Sequence, residues 1–498
     1  MTNPLAALRN RAANRFASGD LRGARADWLE VLRLLPASGE AMLEVSYLES
    51  VAGNYLEARS WALRAASAQL PRELVPSLLS RLRTFNEVTT MREFVVRLIE
   101  QGTATGDLLA ECARQLNGAG DFVLAERAIM AGLERSPENL HARMIHGQVR
   151  AQQSRFDDAE REFEWVLARN PSLAHCWWLL SRLRRQTPER NHVSSLGGLI
   201  RTCNNPQDTA LLARALHKEL DDIGQFEHAW EALELLCRIK RRLEPYDPNE
   251  FNAMVDGLIA RSPAWRPDVG DPGNGPIPIF IVGMHRSGTT LLEQLLDASS
   301  EVRAVGELVD FTSAMRHATN HYCKGPLDAR IVDLAAGVEF ADVGGRYLAG
   351  VSWRLGDEAY FTDKQPSNFL NIGFILRALP QARILHMVRD PLETCFSNLR
   401  ELYTGINAYS YDQRQLASYY LQYLRLMQHW HRLFPGRILD VSYAALTSAP
   451  GQEMAKVAAF CGLQYVDGMR QTNASGRAVS TASSVQVREG VVDQFGDY

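Results

Sequence analysis

The residues between Gly283 and Gly288 have the Gly-x-x-x-x-Gly spacing of a phosphate-binding loop. In loops that bind nucleoside triphosphates, a lysine follows the second glycine and reaches the β- and γ-phosphates. Here that position is Thr289, and an arginine, Arg286, lies inside the loop instead. The pattern therefore predicts a loop that binds a phosphate group, and it disfavours a nucleoside triphosphate as the ligand.

The residues on either side of this loop predict a strand before it and a helix after it. Residues 277–282 form a short apolar run rich in β-branched side chains, which is typical of a buried parallel strand. After the loop, leucines recur at helical spacing between residues 291 and 296. A helix start directs free backbone N–H groups and a positive dipole end at an anion. The predicted phosphate ligands are Arg286, Ser287, Gly288, Thr289 and Thr290.

A second strand-and-helix motif follows about a hundred residues later. Residues 383–388 form another strand-like run, Arg389 comes directly after it, and Pro391 suits the first turn of a helix. Ser397 then falls inside that helix, so its hydroxyl could converge with the guanidinium of Arg389 at the carboxyl end of the strand. Arg389 and Ser397 are therefore candidates for one site.

Taken in order, the two motifs resemble the signatures of sulfotransferases that use 3′-phosphoadenosine 5′-phosphosulfate (PAPS). The loop with Arg286 is similar to the family's 5′-phosphosulfate loop, and Arg389 with Ser397 matches the pair that binds the 3′-phosphate. The resemblance covers most of residues 276–490. It implies PAPS as the cofactor, 3′,5′-ADP as the product and no metal ion, because arginine, lysine and backbone amides would supply the positive charge.

A resemblance to protein-tyrosine sulfotransferases in particular implies catalytic residues. Glu307 ends a short strand-like run and is expected to return to the rim of the same crevice, where the family has its general base. Lys364 follows another strand-like run, where the family has a lysine that bridges donor and acceptor. Arg286 is expected to share that work. Two plainer interpretations stay open: Glu307 as a surface helix cap, and Lys364 as a solvated loop residue.

Other positions resemble the family less completely. A segment near the C-terminus is similar to the one that closes over the nucleotide. It makes Ser483 and Ser484 candidate hydroxyls near the donor, Ser484 with a catalytic role, and Arg488 a candidate cation, with the register open by a residue or two. At His285 the family usually has a proline. Tyr443 occupies a place where a tyrosine is common, and a packing role is an equal interpretation.

Strand-like and helix-like runs alternate from residue 277 onward. This alternation predicts an α/β domain with a mostly parallel sheet and its ligand at the carboxyl ends of the strands. The sulfotransferase resemblance implies the same P-loop-like α/β architecture. The predicted strands are residues 277–282, 302–305, 360–362, 384–388 and 437–441.

The N-terminal half contains a repeat with a period of 34 residues. Gly19 and Gly53 begin similar segments 34 positions apart, and Gly120 and Ser154 begin two more with the same separation. A turn glycine, an aromatic residue, a small alanine and a proline in phase resemble the tetratricopeptide repeat. A degenerate copy is expected between the second and third, with Asn86 near the place of the turn glycine.

The predicted organisation is an α + α/β chain that resembles bacterial tetratricopeptide–sulfotransferase fusions. A tetratricopeptide-like helical repeat array is expected over residues 1–260 and a sulfotransferase domain over residues 277–498. The linker between them, residues 261–276, is rich in proline and glycine and has no apolar periodicity. Three roles stay open for the repeats: a scaffold, a homodimer contact, or a surface that binds an acceptor protein or peptide.

The composition gives no general case for nucleic-acid or membrane binding. The net charge is −4, and 46% of the residues are hydrophobic. Seven scattered cysteines without a Cys-x-x-Cys pair disfavour a zinc site and disulfides, and favour a reducing cytoplasm. The N-terminal residues lack the apolar run of a signal peptide, and no stretch approaches the ~20 apolar residues of a membrane helix.

The sequence therefore predicts a PAPS-dependent sulfotransferase that moves a sulfuryl group to an acceptor hydroxyl by in-line transfer, with Glu307 as the general base. The repeat array, and a glutamate rather than a histidine as the base, favour a polypeptide acceptor such as a protein tyrosine, while sugar, lipid and phenolic hydroxyls stay open. Two alternatives remain. One is a P-loop-type small-molecule kinase, which Thr289 disfavours. The other is a repeat scaffold whose nucleotide-binding domain is inactive.

Overall fold

The computed structural model describes residues 4–264, 275–403 and 405–471. Packing divides the chain into two compact units. The first consists of Met1–Val149 and Thr312–Cys323, and the second of Arg150–Phe311 and Lys324–Tyr498. The predicted Ser483, Ser484 and Arg488 lie outside the described residues.

The first unit is built from helices, and from the first to the eighth each packs against the next along the chain. The turns explain the predicted period, because Gly19, Gly53 and Gly120 all adopt left-handed backbone with φ between 81° and 84°. Asn86 and Ser154 occupy the equivalent turns at φ 57° and 63°. Asn86 therefore stands in for the turn glycine, as predicted. The helices are α1 (Pro4–Ala17), α2 (Leu21–Leu34), α3 (Gly39–Val51), α4 (Tyr55–Ala66), α5 (Val75–Thr84), α6 (Val88–Glu100), α7 (Gly106–Gly118), α8 (Phe122–Arg135) and α9 (Leu140–Gln152).

The small alanine of each repeat permits close approach of the helices. Ala24, Ala58, Ala125 and Ala159 are completely buried, and a larger side chain at these positions would hold neighbouring helices apart. The tetratricopeptide-like pattern thus has a direct packing reason. The predicted helical array is confirmed.

The helices that continue the array to residue 261 pack with the second unit. Phe251 stacks on Tyr419 with ring centroids 4.1 Å apart, and Arg425 bonds Asp256 at 2.6 Å. The packing groups these helices with the sheet that follows. The domain boundary at residue 260 stays a prediction. These helices are α10 (Phe156–Arg169), α11 (Ala174–Ser181), α12 (Val193–Thr202), α13 (Pro206–Asp222), α14 (Phe226–Leu243) and α15 (Pro248–Arg261).

A five-stranded sheet lies at the centre of the second unit, and its strands all run parallel in the order β2-β3-β1-β4-β5. All five strands were predicted. They are β1 (Ile277–Gly283), β2 (Val302–Ala304), β3 (Tyr360–Asp363), β4 (Arg383–Val388) and β5 (Ile438–Ser442). Because β1 lies between β3 and β4, the connections leave it in opposite directions, and a crevice is expected at the carboxyl ends of these three strands.

Helices connect the strands and bury both faces of the sheet. On one face Ile279 and Ile281 pack with Leu292, whereas on the other Phe280 stacks on Tyr347 at 5.6 Å. The helices are α16 (Thr289–Leu296), α17 (Asp310–Thr319), α18 (Ala329–Leu334), α19 (Phe340–Val351), α20 (Ile372–Ala378), α21 (Pro391–Leu399), α22 (Gln413–Leu433), α23 (Tyr443–Ser448) and α24 (Pro450–Cys461). Short 3₁₀ helices are Arg72–Leu74, Ser262–Ala264, Ala335–Gly337, Ser352–Arg354, Pro366–Asn371, Ala408–Tyr411 and Asp467–Arg470.

The segment Thr312–Cys323, which includes most of α17, packs with the first unit. Ser313 Oγ donates to the carbonyl of Phe85 at 3.2 Å, and the Leu56 N–H donates to Asn320 Oδ1 at 2.8 Å. A hydrophobicity criterion finds, among the residues described, no helix with the length and apolar character needed to cross a bilayer.

Candidate functional site

The loop after β1 can be formed only with glycine at its two ends. Gly283 has φ 150°, and a Cβ there would lie 2.8 Å from the carbonyl oxygen of Met387 in β4. Gly288 has φ 103°, and a Cβ there would lie 2.4 Å from the Tyr443 ring. Both contacts are too short for real atoms, so the predicted loop glycines are explained by close approach of β4 and Tyr443.

Between the glycines, Arg286 adopts left-handed backbone at φ 67°, which is uncommon for a residue with a side chain. Its neighbours hold it there. Asn398 Nδ2 donates to the carbonyl of His285 at 2.6 Å, and Arg389 Nη1 donates to the carbonyl of Arg286 at 3.3 Å. The segment after β4 therefore fixes the backbone of the loop after β1.

The side chains of the two predicted motifs also meet. Arg286 Nε donates to Ser397 Oγ at 3.1 Å, which joins the loop after β1 to helix α21. Arg389 Nε donates to Glu393 at 2.8 Å, and its guanidinium lies 4.3 Å from the centre of the Tyr443 ring. Ser397 was expected beside Arg389, and the hydrogen bond that the structure describes for it is to Arg286.

The start of helix α16 presents hydrogen-bond donors to the same place. The Ser287 side chain is 1% exposed, and its hydroxyl has no hydrogen-bond partner among the described residues. Thr289 and Thr290 form the first turn of α16, which follows Gly288 without a side-chain cap. A buried hydroxyl without a partner is costly unless a ligand bonds it. This position can therefore accommodate an anion.

The loops after β2 and β3 bring together the predicted Glu307 and Lys364. Lys364 Nζ donates to Glu307 Oε1 at 2.7 Å, and its backbone N–H donates to the carbonyl of Gly306 at 3.0 Å. The lysine side chain is fully buried, whereas 43% of the Glu307 side chain is exposed. The carboxylate therefore combines a fixed position with access from solvent, and the lysine is not a solvated loop residue.

Glu293, which was not predicted, forms hydrogen bonds to the two segments that carry this pair. Its Oε1 accepts hydrogen bonds from the Gly306 N–H at 2.9 Å and from Thr362 Oγ1 at 2.7 Å. Burial raises the pKa of the Glu293 carboxyl, and nearby Lys364 partly opposes that rise. One signal was available in the sequence: Glu293 interrupts a leucine run in a helix that is buried on all sides.

His285 connects the two sides of the site electrostatically. Burial lowers the pKa of its imidazole to about 4, Glu307 opposes that change, and Lys364 and Arg286 add to it. His285 is therefore neutral at neutral pH. Tyr409 lies with its hydroxyl 3.4 Å from His285 Nδ1. Because Glu307, Lys364 and Arg286 all act on this one ring, the structure brings the three predicted residues into one region.

A second buried carboxylate lies near Arg286 and was also not predicted. Burial alone would raise the pKa of Glu401, but Arg214, Arg182 and Arg286 outweigh it and hold the pKa below its usual value. Arg214, on helix α13, lies 3.9 Å from Glu401, and burial lowers the pKa of Arg214 to about 10. A helix of the repeat array thus contributes a charge that acts on Glu401 together with Arg286.

Comparison with known proteins confirms the predicted resemblance. Residues 278–467 match the model of the sulfotransferase family. An uncharacterized protein of Aquifex aeolicus is 30% identical over 307 residues, covering 57% of this chain and 39% of that protein. A putative protein-tyrosine sulfotransferase of Caenorhabditis briggsae is 25% identical over 188 residues (38% of this chain and 66% of that protein). Protein-tyrosine sulfotransferase 2 of Gallus gallus is 27% identical over 201 residues (38% and 52%).

The chain thus spans between 39% and 66% of the length of these curated relatives. Among solved structures, the sulfotransferase domain from the curacin biosynthetic pathway is similar with a TM-score of 0.29 at 17% identity, covering 43% of this chain and 87% of that one. A tetratricopeptide repeat protein from Parabacteroides merdae has a TM-score of 0.36 at 14% identity, covering 48% and 91%. Neither score supports an inference about function.

Proposed function

We propose that this protein transfers a sulfuryl group from PAPS to the hydroxyl of an acceptor. The observation that carries the proposal is the convergence of two kinds of group at the carboxyl ends of neighbouring strands. An anion-binding loop containing Arg286 lies on one side, and the Lys364–Glu307 pair lies on the other. The match of residues 278–467 to the sulfotransferase family supports the same reaction.

The loop after β1 fits the 5′-phosphosulfate of such a donor. Ser287 has a buried hydroxyl without a protein partner among the described residues, and the start of α16 supplies backbone donors. Arg286 is positioned beside them by Ser397 and supplies positive charge. When bound, PAPS would provide the sulfuryl group, and 3′,5′-ADP would be the product. The chain's own donors would meet the negative charge that develops during transfer.

Arg389 and Ser397 are the proposed ligands of the 3′-phosphate. Arg389 is held by Glu393 and by the Arg286 carbonyl, and it stacks on Tyr443. These contacts leave a guanidinium of fixed orientation, which suits a planar, bidentate contact to phosphate oxygens. Ser483, Ser484 and Arg488, from the C-terminal segment, stay proposed contacts from the sequence alone.

Glu307 is the proposed general base. Its side chain is the more exposed member of the Lys364 pair, so an acceptor hydroxyl can approach the carboxylate from solvent. Lys364 is fully buried and is proposed to share its ammonium between Glu307 and the phosphosulfate. Glu293 holds the Gly306 backbone and therefore the approach angle of Glu307.

The first experiment separates this proposal from a kinase and from an inactive scaffold. Isothermal calorimetry with the full chain should give tight binding of 3′,5′-ADP and PAPS and weak binding of ATP, because Thr289 replaces the triphosphate-binding lysine. Tight ATP binding without PAPS binding would favour the kinase. Binding of PAPS without transfer to any acceptor would favour the scaffold.

The acceptor is proposed to be a protein tyrosine, presented by a peptide or protein that the repeats bind. Two of the relatives described above are named protein-tyrosine sulfotransferases, one of them putatively, and repeat arrays of this kind offer extended binding surfaces. Incubation with sulfur-35-labelled PAPS and a native lysate, followed by gel and thin-layer separation, tests this. Label in a protein band that yields sulfotyrosine supports the proposal, whereas label in a lipid or sugar fraction contradicts it.

A reducing compartment, such as the cytoplasm, is the proposed location. None of the seven cysteines, all within the described residues, forms a disulfide, and burial raises the pKa of the thiols of Cys112, Cys176, Cys237 and Cys461. Buried protonated thiols of this kind are inert and are typical of proteins kept reduced.

A further inference from the structure

Two histidines and an aspartate meet at the edge of the sheet, apart from the residues proposed for sulfuryl transfer. His386 in β4 and Asp440 in β5 are direct partners in the parallel register of the two strands. His431 comes from the last turn of helix α22. Three separate elements of regular structure therefore fix the positions of these side chains, which is the support that a precise ligand site requires.

The three side chains present nitrogen and oxygen atoms at close range. His386 Nδ1 lies 2.7 Å from Asp440 Oδ1, and His431 Nε2 lies 2.9 Å from the same oxygen. All three potential ligand atoms lie within 4.8 Å of one another. In a tetrahedral zinc site with bonds near 2.0–2.1 Å, ligand atoms are separated by about 3.3 Å. The two pairs that involve Asp440 would each have to lengthen by about half an ångström to make room for an ion.

Burial and exposure are distributed as an accessible metal site needs. The His386 side chain is buried, whereas 35% of His431 and 54% of Asp440 are exposed. The other ring nitrogen of His386, Nε2, is hydrogen-bonded to the hydroxyl of Tyr423, a buried residue of α22. A partner on the second nitrogen holds the ring in place, and metal-binding histidines almost always have one.

We propose that His386 Nδ1, His431 Nε2 and the Asp440 carboxylate bind a divalent transition-metal ion such as Zn²⁺ or Co²⁺. Imidazole and carboxylate are ligands that these ions share, and three protein ligands leave at least one position for water. Binding at Nδ1 places the single proton of the His386 ring on Nε2, where the Tyr423 hydroxyl oxygen can accept it. The site is independent of the proposed sulfuryl transfer, because none of its ligands belongs to the groups assigned to that reaction.

The alternative is a His–Asp–His hydrogen-bonded cluster that binds no ion, and titration of the chelator-treated full chain decides between the two. Calorimetry with Zn²⁺ should show one ion per chain, and Co²⁺ should give a visible absorption band that saturates at the same ratio. Mg²⁺ should not compete, because it prefers an all-oxygen octahedral shell.

Two variants and one matched control assign the site. His431→Ala and Asp440→Asn should each weaken Zn²⁺ binding by about 100-fold or more, because the first removes a direct ligand and the second removes the charge of one, and even loss of an outer-shell partner costs 10–100-fold. His429→Ala is the control: it lies on the same helix end, but its Nε2 bonds Ser262 Oγ at 2.7 Å. It should leave Zn²⁺ affinity unchanged.

Circular dichroism and thermal melting of the metal-free variants check that they are folded. Because His431 and Asp440 are both partly exposed, we expect little loss of stability. Absence of stoichiometric Zn²⁺ binding by the native chain would overturn the proposal. So would binding that persists unchanged in both variants, since the ion would then lie elsewhere, for example on a thiol.

Discussion

The loops after β1 and β4 and the loops after β2 and β3 lie at the same edge of one sheet, yet they are built differently. The first pair is held by several cross-contacts, including Arg286 to Ser397 and Arg389 to the Arg286 carbonyl. The second pair presents one partly exposed carboxylate, Glu307, which bonds the buried ammonium of Lys364, while Gly306 is held by the Lys364 backbone and by Glu293. Redundant contacts suit a binding surface, whereas a single exposed carboxylate suits a group that must exchange a proton. Substitutions should therefore lower affinity in steps on the first side and stop turnover on the second.

The strongest test of this contrast is Glu307→Gln. Glutamine keeps the shape of the side chain and a hydrogen-bonding oxygen but removes the basicity. If Glu307 is the general base, turnover should fall roughly 10²–10⁴-fold, while the affinity for PAPS changes little. Initial rates with labelled PAPS and calorimetric affinities measure the two effects separately.

Two companion variants make that result specific. Lys364→Ala should lower turnover and also weaken PAPS binding, because the ammonium is proposed to contact both Glu307 and the phosphosulfate. Glu339→Gln, an exposed glutamate at the start of α19, is the matched control and should change neither quantity. Near-normal turnover of Glu307→Gln across neutral pH would contradict the assignment and erase the contrast between the two pairs of loops.

On the binding side, Arg389→Ala is expected to produce the next largest effect. Removing a charge-assisted contact should cost about 1.5–3 kcal/mol in affinity for 3′,5′-ADP, or roughly 10–150-fold. The affinity for 5′-AMP, which lacks the 3′-phosphate, should hardly change. Calorimetry with both nucleotides gives the comparison.

The matched control for this prediction is Arg383→Ala. Arg383 begins β4 and donates to the Cys461 carbonyl, so it lies at the opposite end of the same strand from Arg389. It should leave both nucleotide affinities unchanged. Equal losses for 3′,5′-ADP and 5′-AMP in Arg389→Ala would move that residue away from the 3′-phosphate.

The two sides also differ in how much the sequence could predict. The five strands and the loop glycines could be predicted from local patterns. Apolar runs indicate the strands, and a glycine at position 288 indicates the left-handed backbone found there. Glu307 and Lys364 came from a family resemblance, and the structure adds that they contact each other. Their roles stay predictions, as do those of Ser483, Ser484 and Arg488.

What the sequence could not supply is long-range contact between charged groups. Glu293 is one glutamate in a helix, and only the folded chain shows that it bonds Gly306 and Thr362. Arg214 and Glu401 are distant in sequence and carry no motif, yet they lie 3.9 Å apart, and Arg286 acts on the same carboxylate. Such residues are found by burial, because a buried charge requires partners.

His285 lies in the loop after β1, but Glu307 and Lys364 in the other pair of loops also affect the pKa of its imidazole. Its pKa is about 4 in the folded chain, against an ordinary value of 6.5. Between these values the unfolded chain binds more protons, so the stabilising effect of neutral His285 is present above pH 6.5 and is lost as pH falls toward 4. The full loss is on the order of 3 kcal/mol.

Urea unfolding of native protein and His285→Gln at pH 7.5, 5.5 and 4.5 measures this dependence. The variant should be less sensitive to acid, while the remaining sensitivity includes His217, whose pKa is also lowered to about 4 by burial. His228→Gln, at an exposed histidine of α14, serves as the control and should keep nearly the native pH dependence. An unchanged pH dependence in His285→Gln would contradict the lowered pKa of this imidazole and, with it, the effect of Glu307 and Lys364 on the ring.

The smallest expected effect is a gain of affinity in Glu393→Gln. The Glu393 carboxylate bonds Arg389 Nε at 2.8 Å and would compete with a 3′-phosphate for the same guanidinium. The pair is partly exposed, so its loss should free about 0.4–1 kcal/mol for ligand binding and raise the affinity for 3′,5′-ADP about 2–5-fold. The gain should shrink at high salt, because screening weakens the competing pair. In an Arg389→Ala background the substitution should have no effect. If Glu393→Gln instead weakens binding, the carboxylate orients Arg389 rather than competing for it. Glu393 would then count among the several contacts that hold the loops after β1 and β4 in place.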